Sequence, residues 1–228
     1  MTVVSDAATL SPDDRVAEKL RALGPAGILA TVVILFAGTA WISAILVLVW
    51  ARWSRTPWKE IGYVRPNSWL LSTAVGLVSG ILFKIVMKAV VMPLLGADPI
   101  NSAYHYLVGN RAALPGMLFA VTVGAGFGEE TVFRGFLFAQ LRKVLGRGPA
   151  ASNAIVILTA AWFGIVHYPS QGLAGVEQAT VTGLVFGTIF ALTGRIWMLM
   201  VAHAAFDVTA VAIIYWDLES RVAHLLFT

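Results

Sequence analysis

Two adjacent carboxylates and a guanidinium, Glu129, Glu130 and Arg134, lie inside the otherwise apolar run of residues 124–138. Charges in such surroundings persist only when they are paired or face a protein interior or a water-filled cavity, so their default meaning is a functional site. On a helix, Glu130 and Arg134 are i,i+4 neighbours in the favourable order of acid before base. Glu129 lies about 100° further round. One carboxylate is therefore expected to be held by the arginine while the other is aimed at a partner elsewhere in the chain. Two later i,i+4 pairs supply candidates: Phe163 with His167, and His203 with Asp207. The Asp207 carboxyl is placed to hydrogen-bond the His203 imidazole and fix its tautomer. His105 and His224 read as ordinary surface residues.

A carboxylate with two imidazoles supports either a general base that activates water, with donors for an oxyanion, or a metal site. The metal reading is the weaker. There is no His-Glu-x-x-His pair, so ligands would have to come from three helices without a local chelate, and neither metal nor cofactor is expected. No late span carries Gly-x-Ser, no Gly-x-Gly-Asp aspartyl motif is present, and the chain has no cysteine. Among hydrolytic chemistries this leaves a glutamate-activated water. A proton-coupled transporter using the same charges as a relay, and a non-catalytic scaffold or immunity protein, are the alternatives. Internal repeats, common in transporters, are not evident.

The elements that position these groups are apolar helices. Of 228 residues, 58% are hydrophobic and 12% charged, and the mean hydropathy is +0.81. This composition predicts an integral membrane protein of the all-α class, a polytopic bundle of about six transmembrane helices with interfacial helices beside them; each crossing needs about 20 residues. Spans are expected at about residues 28–50, 70–95, 114–143, 150–168 (stopped by Pro169), 176–193 and 196–216. Gly124, Gly126 and Gly128 predict close packing or a kink just before the acids. Residues 1–26 form a polar segment in which Ser11-Pro12-Asp13-Asp14 opens an amphipathic helix, and residues 27–228 form the embedded bundle. Residues 57–69 should lie along the interface. Lys84 and Lys88 share one face of the second span and are expected to snorkel toward the headgroups. The net charge of +4 could suggest nucleic acid, but the basic residues sit in short loops beside apolar runs, as positive-inside topology requires. Eight Lys and Arg residues fall in the loops after spans one, three and five, against five on the other side.

Glu129-Glu130-x-x-x-Arg134, then Phe163-x-x-x-His167, then His203-x-x-x-Asp207, in this order on successive helices, resembles the CaaX-protease and bacteriocin-processing (CPBP, or Abi) family of intramembrane proteases. The likeness covers about residues 57–215, including Thr193-Gly-Arg-Ile-Trp197. It implies a glutamate-dependent endopeptidase in which Glu129 and His167 activate water, His203 with Asp207 stabilises the oxyanion, and Glu130, Arg134 and Phe163 support the site. The implied partners are membrane lipid and a membrane-associated peptide or protein substrate, and the implied location is a bacterial inner membrane. The eukaryotic prenyl-protein endopeptidases carry Asn where this chain has Asp207. An ionised Asp207 could not donate to an oxyanion, so it is either protonated or orients His203.

Overall fold

The computed structural model describes residues 11–227, whose regular structure is entirely helical, with no strand among them. Helix α1 (Pro12–Arg21) starts as its sequence predicts, with the Ser11 hydroxyl accepting from the Asp14 amide at 3.2 Å. It is fastened to the bundle. The Trp50 indole donates to the Leu20 carbonyl at 3.0 Å, Lys143 to the Arg21 carbonyl at 2.8 Å, and Arg21 pairs with Glu60 at 3.2 Å.

The expected first span is in fact two helices. Helix α2 (Pro25–Leu35) ends in a turn in which Gly38 adopts φ +92°, and α3 (Ala40–Trp53) follows. Left-handed backbone is open to glycine at little cost, and it stops the helix where composition alone would continue it. At about 1.5 Å per residue neither helix reaches across a ~30 Å core. The pair dips into the bundle and returns, its tip packed where a Cβ at Gly128 would meet the Ala40 backbone at 2.7 Å.

Helix α4 is the apolar run Trp69–Leu94, wound with wider π turns over Met87–Val91. Helix α5 covers residues 114–145, and its middle, Ala120–Leu137, is π-wound. The glycines before the acids divide: an added Cβ at Gly126 would collide with Met200 and Ala204 and one at Gly128 with α3, while Gly124 faces open space. The segment Pro149–Thr193 is one helical run broken at Gly172 (φ 62°, ψ −157°), a conformation essentially reserved for glycine. Its parts are α6 (residues 149–171) and α7 (residues 173–193). They fold back on each other, with Gly164 against Thr180 and Gly183 against Ala160. Gly172, not Pro169, is the stop, because Pro169 is absorbed into the last turn of α6. Helix α8 (Trp197–Tyr215) and the short α9 (Glu219–Ala223) are the last helices among the described residues. Among the described residues three runs are long and apolar enough to cross a membrane, Trp69–Leu94, Pro149–Thr193 and Trp197–Tyr215, with α2 and α3 as shorter apolar helices.

Because α2 and α3 return to the side they started from, α1 shares one end of the bundle with residues 52–68, 142–148 and 194–195. The Arg55–Asp14 pair and the Lys143–Arg21 bond tie these segments together. The charge asymmetry is therefore sharper than a full first crossing implies. Eleven of the sixteen Lys and Arg residues lie at this end, two (Arg111 and Arg221) at the other, and Lys84, Lys88 and Arg134 inside. The positive-inside rule predicts that this end faces the cytoplasm. Single cysteines replacing Lys19, Arg55 and Arg147 should all react with an impermeant thiol reagent from the cytoplasmic side, and one replacing Arg111 only from the other. Labelling of Lys19 and Arg55 positions from opposite sides would mean that the first apolar segment crosses after all.

Candidate active site

Glu130 and Arg134 are the most deeply buried charges of α5, at 0% and 2% exposure. One oxygen, Glu130 Oε1, accepts from Arg134 Nη1 at 2.9 Å and from His203 Nδ1 at 2.7 Å. The guanidinium lies over the rings of Phe163 (4.7 Å) and Phe186 (5.7 Å), so aromatic faces from α6 and α7 surround the rest of the cation. Phe163 also packs edge-on against His167 at 4.7 Å and His203 at 6.0 Å. Removing the arginine would leave a carboxylate buried without its counter-charge.

The imidazole of His203 is oriented by Glu130 and not, as its i,i+4 spacing suggests, by Asp207. Asp207 Oδ2 stands 3.6 Å from Nε2, and Glu129 Oε2 stands 3.7 Å from the same nitrogen. Side chains on a helix lean toward its N-terminus, so residue 207 overlies the outer edge of the residue 203 ring and leaves Nδ1 to α5. His203 Nε2 is thus presented between two carboxylates. On α6, His167 Nδ1 donates to the Phe163 carbonyl at 2.7 Å, which leaves Nε2 as the acceptor edge.

Glu129, His167, His203 and Asp207 line one cavity of about 450 Å³. Glu129 Oε2 is buried and has no hydrogen-bond partner in the protein. From the connection between α4 and α5, Tyr104 borders the same space; burial, and then the charges of Asp207 and Glu129, push its phenol above the usual tyrosine value. The seven motif residues are therefore brought to one place. Among the described residues, no group of three or more His, Cys, Asp or Glu side chains is arranged to hold a metal ion. His105 and His224 are exposed, although His105 Nδ1 comes within 4.0 Å of Glu219.

Lys84 and Lys88 do not snorkel. Lys84 is 6% exposed and its Nζ donates to Gln178 Oε1 of α7 at 2.8 Å. Lys88 Nζ donates to Glu219 Oε1 at 2.8 Å and to the Pro99 carbonyl at 2.6 Å. Their face of α4 is turned toward α7, α8 and the loop after it, where polar partners make burial cheaper than reaching for the interface. Both lysines line the cavity. Glu219 gave no sign of this role in the sequence, lying beyond the last apolar run.

These features define a membrane-embedded helical bundle with a carboxylate–histidine site between its helices. Residues 111–209 match the sequence model of the family described as Rce1-like, type II CAAX prenyl endopeptidase Rce1-like. This agrees with the resemblance carried by the three motifs and supports the protease kind. The match includes all seven motif residues from Glu129 to Asp207 and stops short of α1 to α4. No curated protein and no solved structure matches the chain.

Arg134→Ala should lower the thermal unfolding temperature sharply, because stranding the buried Glu130 carboxylate costs about 3–5 kcal/mol. A variant that melts like the parent and is merely inactive would show that Arg134 belongs to the chemistry and not to the support.

Proposed function

We propose that the protein is an intramembrane endopeptidase of a bacterial inner membrane, with residues 27–228 as its catalytic bundle, hydrolysing a peptide bond of a membrane-associated substrate. Glu129 and His167 take a proton from water as its oxygen attacks the scissile carbonyl. His203 Nε2 faces the oxygen on which negative charge develops, and a hydrogen bond that strengthens there lowers the barrier. Collapse of the tetrahedral intermediate breaks the C–N bond, and the proton held by Glu129 or His167 passes to the leaving amine, so no charge is left behind. The observation that carries this reading is the common cavity wall formed by Glu129, His167, His203 and Asp207 from three helices.

Glu129→Gln should abolish cleavage and leave thermal unfolding unchanged, since it removes the base and keeps the shape. The readout is a comparison of membrane-protein termini from cells making the parent or the variant. Termini that differ from an empty control equally with both proteins would rule out Glu129 as the base, and loss of cleavage in chelator restored by zinc alone would replace water activation by the carboxylate with metal chemistry.

The orientation of His203 by Glu130 leads to a second expectation. Asp207→Asn should keep the cleavage rate within about tenfold, because the ring is held through Nδ1 on its other side. Glu130→Gln should cost about 10²-fold, the upper range for losing a group that orients a working imidazole. Equal losses in the two variants would return the orienting role to Asp207.

A further inference from the structure

The hydrolysis makes no use of Lys84, although its ammonium stands in the wall of the cavity. Nζ donates to the amide oxygen of Gln178 at 2.8 Å and lies 4.7 Å over the ring of Phe206, the residue before Asp207. An ammonium has three protons to donate, and its charge is tolerated in a buried position only when something meets it. Lys88, one turn further along α4, is met by the Glu219 carboxylate and a carbonyl. Lys84 has a neutral amide. Asp207 attracts it through space, but the close contact of that carboxylate is with His203 at 3.6 Å. The arrangement is a cation braced by a group that cannot neutralise it, with donors to spare, beside the groups that would cleave a peptide.

We propose that Lys84, positioned by Gln178, is the subsite for a carboxylate of the bound peptide, either its free C-terminal α-carboxylate or an acidic side chain. This rests on the reading of the cavity as a peptide-binding site. A lysine suits the purpose because it acts as a compact point charge with rotatable donors. One proton is used on Gln178, and the others make charge-assisted bonds to the ligand, which are the stronger kind. A volume of about 450 Å³ is in the range of pockets that enclose one small ligand, which suits a short chain end.

The test reads binding without turnover. Full-length protein carrying Glu129→Gln is purified in detergent and incubated with equimolar mixtures of apolar tetrapeptides in three forms: free acids, C-terminal amides, and C-terminal amides with one internal Asp. Peptides that co-elute with the protein on gel filtration are quantified by mass spectrometry. One carboxylate-bearing set should be retained about tenfold or more over the plain amides, the scale of one hydrogen bond to a charged group, and the set retained identifies the source of the carboxylate. Adding Lys84→Met should remove the preference. Adding Gln178→Glu should remove it too, by placing a carboxylate on the ammonium while the lysine stays, so the question is answered even if the Lys84 variant does not fold. Retention of all three sets alike, or a preference that survives in either folded variant, would overturn the subsite. No preference in the Glu129→Gln protein, alongside cleavage by the parent, would overturn the subsite and leave the peptidase reading standing; a preference without any cleavage by the parent would support the subsite and remove only the peptidase reading.

Discussion

Everything in this bundle is arranged around one shared oxygen, Glu130 Oε1. It receives a proton-bearing nitrogen from its own helix, Arg134, and another from α8, His203. A carboxylate so far from water is tenable only if its partners are in place, and the partners have needs of their own. The guanidinium requires faces to lie against, which brings in Phe163 of α6 and Phe186 of α7. The imidazole requires its second nitrogen to point somewhere useful, and that somewhere is the cavity. Four helices are thus fixed relative to one another by a single group that acts in the proposed chemistry only through the imidazole it orients.

Short side chains such as Asp and His meet across helices only when the backbones come close, and here glycine permits it. A Cβ at Gly80 of α4 would fall 2.1 Å from the Ala202 carbonyl of α8, and one at Gly126 of α5 would fall 2.8 Å from the Ala204 Cβ. Helix α8 is therefore pressed between α4 and α5 with its His203 and Asp207 edge toward the cavity. In a membrane, where apolar side chains gain little by leaving lipid for protein, such close backbone approach is a main source of packing energy. The same contacts bring Lys84 of α4 within range of Asp207.

The helical class, the apolar helices after residue 69 and the seven motif residues were legible in the sequence, because charges in apolar runs stand out and their helical spacing survives even the π-wound stretch of α5. What was not legible depended on backbone conformation or on partners distant in the chain. Gly38 lies in a run that composition reads as one span, and nothing in its neighbours announces a left-handed turn. Gly172 was hidden behind Pro169, a residue with the stronger reputation as a breaker. Lys84 and Lys88 were visible as intramembrane charges, but their direction depends on Gln178 and Glu219, 94 and 131 residues away. The orienting partner of His203 was misread for a related reason: Asp207 is its neighbour in sequence, while Glu130 becomes its neighbour only once α5 and α8 pack.

The i,i+4 spacing of Glu130 and Arg134 also bears on how the chain is made. When α5 first enters the bilayer, α8 has not yet been synthesised, and His203 is 73 residues away. A salt bridge contained within one helix lets that helix be inserted with its two deepest charges already compensated. Glu129 has no such local partner and gains its imidazoles, His167 and His203, only when α6 and then α8 arrive. The scaffold can thus be assembled early and harmlessly, and the site becomes complete only once α8 has joined the helices made before it.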